Sequence, residues 1–354
     1  MDNILYIGRL NGCSILGGDG VQIKNNVFVN YLSHYANVRV IDLDSLRNKG
    51  KILVLLHMFW TLICHIISGK AYFIASGGST GSCRLVRIIK AISFGRPVNI
   101  VGLGGNMHEY IIASQKNIDS MKDCTTIMAE GRKMVQVMID AGLSQTRYVP
   151  NCKEIKYLPS LKNSPQNTNI IRFVFFARIN PAKGCDVIFE AVDLLNRWGY
   201  ANQFSVDFYG YKLESYSEKF DKKIAEYKYN VRYQGARLAT KSETFDELAT
   251  YDVMLFPTFW EDEGFPATIV DAFVAGLPVI ASDWKCNGEI INNNENGFLI
   301  RPKDPHDLAE KMLWFIRHKD VIPIMAQRMQ QEAMKYDIRN VLNEEYLKNI
   351  GVNI

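Results

Sequence analysis

Two carboxylates, Glu263 and Asp271, stand eight positions apart in the run Phe256-Pro257-Thr258-Phe259-Trp260-Glu261-Asp262-Glu263-Gly264-Phe265-Pro266-Ala267-Thr268-Ile269-Val270-Asp271. The run reads as a strand ending at a proline, an acidic-aromatic loop, and a Gly-Phe-Pro turn that opens a helix. Glu263 then sits at the mouth of that helix and Asp271 in its second turn. Such a pair can grip a polyhydroxylated ligand whose phosphates face a helix N-terminus. Two cations could complete the site. Arg178 sits at the end of the strand that begins at Ile171, and Lys183 lies in the following loop before the next helix. Together they form a suitable diphosphate clamp. Asp207-Phe208-Tyr209-Gly210 and Tyr233-Gln234-Gly235 each end a strand in glycine, where backbone can approach a flat base or a ribose.

These elements need a scaffold, and 354 residues favour two domains over one. Apolar runs alternate with helical patterns along the whole chain, which predicts doubly wound parallel sheets. Strands are expected at 4–7, 38–43, 71–75, 98–101, 125–128 and 148–149, with helices at 22–35, 53–68, 83–93 and 130–141 between them. Residues 153–169 turn polar, carry Pro159 and Pro165, and read as a linker. A second alternation runs through strands at 171–176, 205–209, 231–234, 253–256 and 279–281. Helical patterns at 323–335 and 339–349, broken near Tyr336-Asp337, end the chain. The expected domains are 1–160, 161–335, and a C-terminal helix at 336–354 that crosses back to the first.

Composition is that of a soluble globular protein, 47% hydrophobic and 22% charged. Charge is uneven. Residues 1–160 hold 18 Lys and Arg against 10 Asp and Glu, whereas 161–354 hold 23 against 27. The basic half suits an anionic partner such as a phosphorylated lipid or a membrane surface, or is plain surface variation. Seven scattered cysteines without a C-x-x-C pair fit a reducing cytoplasm, with neither a disulfide framework nor a zinc site. The start, Met1-Asp2-Asn3-Ile4-Leu5, reads as a strand and not a signal peptide. Residues 52–67 lack charge but fall short of the roughly 20 needed to span a bilayer. They read as a core helix or as a helix lying against a membrane.

The Arg-x4-Lys-Gly loop and the Glu-Gly-Phe-Pro segment resemble the donor half of a retaining glycosyltransferase of family 4, with the GT-B fold. That resemblance is strong over 171–310 and weaker over 1–160. It implies an α/β GT-B architecture, two doubly wound, Rossmann-like parallel-sheet domains facing a central cleft. It implies that Glu263 binds the donor sugar and that Arg178 and Lys183 bind its pyrophosphate. Asp271 stands where the family has a glutamate for the ribose, one methylene shorter. Gly264, Phe265 and Pro266 match the turn that faces the sugar, Thr268 falls near the phosphates, and Gly235 joins the donor set. Ala177 replaces a usual glycine.

In the first half, Gly17 and Gly18 are similar to the family's donor-contacting glycine loop. His108, after the turn Gly104-Gly105-Asn106, matches a histidine placed near the reacting sugar, so Glu263, His108, Arg178 and Lys183 are the expected catalytic set. Ser79 and Thr80 in a loop after the third strand, and Glu130, are candidates for acceptor contact. Glu130 could instead cap a helix, and the Ser-Gly loop could be a plain turn. No P-loop or dinucleotide fingerprint is present. Asp42-Leu43-Asp44 resembles a metal-binding pair of another glycosyltransferase fold, yet reads as a solvated loop.

The resemblance implies a hexose-type transfer from a nucleoside diphosphate sugar, UDP- or GDP-linked, to a hydroxyl of a lipid-linked glycan in cell-surface polysaccharide assembly. No cofactor, metal or nucleic-acid partner is expected. The expected place is the cytoplasm, at the inner face of the cell membrane where the 52–67 segment faces lipid. A GT-B sugar-nucleotide epimerase or a non-catalytic GT-B binding module are the rival readings.

Overall fold

The computed structural model describes residues 3–10, 20–45, 51–76, 80–161, 170–239 and 241–352. They fall into two compact units, Met1–Glu154 with Tyr336–Ile354, and Ile155–Lys335.

The first unit runs β1 (Asn3–Gly8), α1 (Gly20–Leu32), β2 (Asn37–Asp42), α2 (Lys51–Ser68), β3 (Gly69–Ser76), α3 (Thr80–Ile92), β4 (Val98–Gly102), α4 (Met107–Ile112), α5 (Gln115–Met121), β5 (Thr126–Ala129), α6 (Arg132–Asp140) and β6 (Thr146–Tyr148). Its six strands are parallel in the order β2-β1-β3-β4-β5-β6. The inner strands are buried on both faces, so β1 reads as the unbroken apolar run Ile4-Leu5-Tyr6-Ile7, while the edge strands β2 and β6 are partly exposed.

The second unit runs β7 (Ile171–Phe176), α7 (Cys185–Arg197), β8 (Phe204–Tyr209), α8 (Glu214–Glu226), β9 (Val231–Tyr233), α9 (Ser242–Leu248), β10 (Val253–Phe256), α10 (Ala267–Val274), β11 (Val279–Ser282), α11 (Asn287–Ile290), β12 (Gly297–Ile300), α12 (Pro305–Arg317) and α13 (Ile322–Ala333). Its order is β12-β11-β10-β7-β8-β9, again all parallel. The chain winds outward from β7 to β9, then returns to pair β10 on the other side of β7. That reversal makes β7/β10 the topological switch point, where the following loops diverge and leave a crevice. Two parallel, helix-flanked sheets of this kind are the GT-B fold. The last elements, α14 (Ile338–Val341) and α15 (Glu344–Asn349), belong to the first unit. Tyr31 donates to the Leu342 carbonyl and Asn99 to the Ile350 carbonyl, each at 3.0 Å.

Several elements lay below the reach of sequence pattern. α8 is a polar helix that buries only Tyr216 and Phe220, one turn apart, so its apolar stripe is two residues long. α4, α5 and β12 are short, and tertiary packing supports them. Asp42 and Asp44 are not a solvated loop. Both are buried: Asp42 accepts from the Leu10 and Asp44 amides at 3.0 Å, and Asp44 pairs with Arg9 at 2.9 Å and Gln22 at 2.9 Å. The core-helix reading of 52–67 is likewise corrected. Only Thr61 and His65 of the segment are buried, and most of its first ten residues are exposed. His65 anchors the last turn, packed edge-on to Tyr72 with a 4.5 Å centroid separation. A Cβ on Gly69 would lie 2.2 Å from the His65 ring.

A buried ion pair ties the loop end of the first sheet. Lys24 of α1 donates to Glu130 Oε1 at 2.7 Å and to the Gly102 carbonyl at 3.0 Å, while the Gly104 amide reaches Glu130 Oε2 at 3.3 Å. Both side chains are about 95% or more withdrawn from solvent. Lys24→Met strands a buried carboxylate and is expected to cost roughly 3–5 kcal/mol in urea unfolding, whereas Lys24→Met/Glu130→Leu recovers most of that loss.

Burial, then the Arg39 and Arg96 cations, push the His65 imidazole down to about 4. The unfolded chain therefore binds this proton more readily than the folded one. Stability from His65 is complete above the ordinary value near 6.5 and is lost as pH falls toward 4, by up to about 3 kcal/mol. Thermal melts at stepped pH check this, since His65→Leu removes that component of the acid sensitivity.

Candidate functional site

The site of the second unit is assembled where β7 and β10 end side by side. After β7 the chain stays on the sheet for three residues. The Ala177 amide bonds the Tyr209 carbonyl at 3.2 Å and the Ile179 amide bonds the Tyr211 carbonyl at 2.8 Å. Between them Arg178 projects outward, exposed, with no ion-pair partner among the described residues. A Cβ on Gly210 would sit 1.8 Å from the Ala177 carbonyl, so glycine is required at that strand end. Asn180 then caps the turn Pro181–Lys183 by accepting from the Ala182 amide at 2.9 Å, and Gly184 turns the chain into α7 with φ 85°.

The β10 loop presses against this turn. The Phe259 amide donates to the Ala182 carbonyl at 2.8 Å, and a Cβ on Gly184 would lie 2.2 Å from the Pro257 carbonyl. This approach brings Lys183 Nζ to Glu263 Oε2 at 2.5 Å. Thr258 donates to the same oxygen at 2.9 Å. Thr258 is itself fixed, since its carbonyl accepts from Ser282 at 2.6 Å and Asn287 in turn donates to the Ser282 carbonyl at 3.0 Å. Lys183 also lies 5.6 Å above the Phe256 ring. Glu263 is thus held on one oxygen by a cation and a hydroxyl.

Behind Glu263, Phe265 is buried and Pro266 stands at the N-cap of α10, where no side chain caps the first-turn amides. Those amides offer an anion site beside Thr268, which is half-buried in the same turn. Asp271 lies in the next turn, only 3% exposed. Gly235 has φ 81°, and its carbonyl accepts from the Gly210 amide at 3.0 Å. Arg178, Lys183, Glu263, Thr268, Asp271 and Gly235 therefore all belong to the second unit. An array of a free cation, a tethered cation, an oriented carboxylate and open helix amides can hold an anionic group joined to a hydroxyl-rich one.

Of the expected first-unit residues, His108 is the second residue of α4, half-buried, with Nε2 4.0 Å from Glu109. Glu130 is engaged by Lys24 and the Gly104 amide, and Gly131, not Glu130, is the N-cap of α6. Gly17, Gly18 and Ser79 lie outside the described residues. Thr80 begins α3, and its side chain is outside them as well. Sequence reasoning passed over Thr258, a residue type too common after a strand to signal anything, and Lys24, whose partner lies 106 positions away.

Residues 160–336, half of the chain, match the family of glycosyl transferases group 1. The chain belongs to that family. Within it, the chain is similar to the N,N'-diacetylbacillosaminyl-diphospho-undecaprenol alpha-1,3-N-acetylgalactosaminyltransferase of Campylobacter jejuni. Those two are 30% identical over 118 residues, 33% of this chain and 30% of that protein. It is also similar to the amylovoran biosynthesis glycosyltransferase AmsK of Erwinia amylovora, 27% identical over 169 residues, 46% of this chain and 40% of the other. Both matches span less than half the length of those relatives. Among solved structures, Anabaena HepE in complex with UDP superposes with a TM-score of 0.73 over 99% of each chain at 16% identity, a likeness of fold. The group 1 match spans β7 to α13 and so contains the whole Lys183–Glu263 array.

Gly184→Ala places a side chain in a left-handed backbone and against the Pro257 carbonyl. It is expected to lower stability by roughly 1–3 kcal/mol in thermal unfolding, because the two loops must separate to admit it.

Proposed function

We propose that this group 1 protein is a retaining, family 4 glycosyltransferase. It moves a hexose-type unit from a nucleoside diphosphate sugar to a hydroxyl of a lipid-linked glycan at the inner face of the cell membrane. The observation that carries this reading is the oriented Glu263 carboxylate, held by Lys183 and Thr258, with exposed Arg178 beside the same crevice. Two related proteins support the biological setting, one named for a diphospho-undecaprenol acceptor and one for amylovoran synthesis. The HepE complex with UDP supports a nucleotide-linked donor.

In this reading Arg178, Lys183, Thr268 and the first amides of α10 receive the diphosphate. Glu263, with the turn Gly264–Pro266, orients the sugar. Asp271 and Gly235 serve the ribose and base, and the family resemblance alone assigns Gly17 and Gly18 to the donor as well. By the family resemblance His108 serves the reacting sugar and Ser79 and Thr80 the acceptor, whereas Glu130, sealed against Lys24, holds the first unit together and is withdrawn from the acceptor. The bond from the anomeric carbon to the diphosphate oxygen breaks as the acceptor oxygen bonds on the same face. The departing diphosphate takes the acceptor's proton, and the two cations stabilise its charge. No metal is required, because cations and helix amides supply that stabilisation. Donor arrival also releases Lys183 from Glu263, leaving the lysine for phosphate and the carboxylate for sugar hydroxyls.

The test is a panel of UDP- and GDP-sugars, assayed for nucleotide release with membrane-extracted acceptor lipid, with and without EDTA. Donor-dependent release unaffected by EDTA is expected, with an axial or equatorial product linkage matching the donor by NMR. Glu263→Ala is expected to lose about 100-fold or more in kcat/KM while melting like the parent protein. Binding of no nucleotide sugar sinks the enzyme reading, EDTA sensitivity sinks the metal-free mechanism, and an inverted product sinks retention.

A further inference from the structure

α2 carries the largest unexplained feature of the first unit. Ile52, Leu53, Leu55, Leu56, Phe59 and Trp60 are each 53–76% exposed. Solvent-facing apolar clusters on this scale mark an interaction surface. No described helix is long and apolar enough to cross a membrane, and α2, at 18 residues, extends only about 27 Å. Such a helix can lie on a bilayer but does not cross one.

The neighbouring helix continues the surface. The crossovers β2–α2–β3 and β3–α3–β4 advance the same way along the sheet, and right-handed connections put α2 and α3 on one face. Arg96, just after α3, donates to the Ile66 carbonyl of α2 at 2.7 Å and joins them. The outer side of α3 presents Arg84 and Arg87, with Ile88 one position further and Phe94 in the following turn. Between Asp44 and Glu109 the chain has eight Lys and Arg and no acidic residue. Lys90 of α3 is paired with Asp123 at 2.6 Å, whereas Arg84 and Arg87 have no ion-pair partner among the described residues. Apolar side chains flanked by such cations complement a surface that is negative outside and apolar within.

We infer that the outer face of α2 and α3 docks on an anionic lipid bilayer. Phe59 and Trp60 enter the interfacial layer while Arg84 and Arg87 meet lipid phosphates. A helix runs antiparallel to the strands it joins, so the exposed first turns of α2 lie at the carboxyl end of the first sheet, the end that carries the α4 turn and His108. Docking there brings that end toward lipid. The inference deepens the membrane setting proposed above and rests on it for its purpose, whereas the surface itself stands on exposure and charge.

Bare vesicles, without donor or acceptor, test the surface separately from transfer. The full chain is sedimented with sucrose-loaded vesicles of phosphatidylglycerol and phosphatidylcholine, and with phosphatidylcholine alone. Binding to the anionic vesicles is expected to exceed that to neutral ones by about tenfold, and to fall by about tenfold in Arg84→Glu/Arg87→Glu and in Phe59→Ser/Trp60→Ser. Both variants are expected to keep the parent melting temperature and the parent activity on a soluble acceptor. Equal sedimentation of Phe59→Ser/Trp60→Ser and the parent protein, or no binding to anionic vesicles, overturns the inference. A dimer that this variant dissociates, without vesicle binding, assigns the face to a second copy and also overturns it. Loss of transfer with intact vesicle binding instead refutes the enzymatic reading and leaves the surface standing.

Discussion

The candidate site depends on one close approach, between Gly184 and the Pro257 carbonyl. β7 and β10 are neighbours only because the chain reverses its direction of winding after β9. Their outgoing loops therefore meet at the switch point, and they can touch only where one of them lacks a Cβ. The Phe259–Ala182 hydrogen bond then locks the contact. Lys183 precedes Gly184, and Glu263 lies six residues beyond Pro257, so this backbone contact sets the distance between cation and carboxylate. The Ser282 and Asn287 hydrogen bonds behind Thr258 extend the same restraint to β11 and α11.

Each unit closes the carboxyl end of its sheet with a lysine–glutamate pair, and the two pairs differ in accessibility. Lys24–Glu130 is nearly sealed and holds the Gly102–Gly104 turn. Lys183 and Glu263 keep 16% and 10% of their side-chain surface open. A sealed pair is a structural tie, because separating it leaves two buried charges without compensation. A partly open pair can exchange partners with an incoming ligand that carries both phosphate and hydroxyls. Arg178, exposed and unpaired among the described residues, offers its charge without giving up an ion pair.

Much of the fold was legible because parallel strands buried on both faces must be continuously apolar. Ile4–Ile7, Phe173–Phe176 and Val253–Phe256 therefore declare themselves. α8 did not, because a helix that covers a sheet edge with only Tyr216 and Phe220 has almost no stripe to read. Asp42 and Asp44 misled for the opposite reason. Two acids around a leucine look solvated, but the Leu10 amide and the Arg9 side chain that satisfy them arrive from more than 30 positions away. At the site, Glu263, Arg178 and Lys183 stood out through their spacing against strand ends and helix starts. Thr258 and Lys24 did not, since each matters only through a distant partner.

By itself the sequence determined that this is an α/β chain of two alternating halves. It also determined which charged residues close its strands, because periodicity, glycine placement and strand-end residues are local properties. Only the tertiary structure decided that Lys183 and Glu263 meet, that Thr258 shares the carboxylate, that Glu130 is engaged by Lys24, and that α2 turns its apolar side chains outward. Those outcomes depend on which strands become neighbours and which face each crossover covers. The apolar content of 52–67 was plain in the sequence, but burial belongs to the packed neighbours, and over most of 52–60 the described residues leave the side chains exposed.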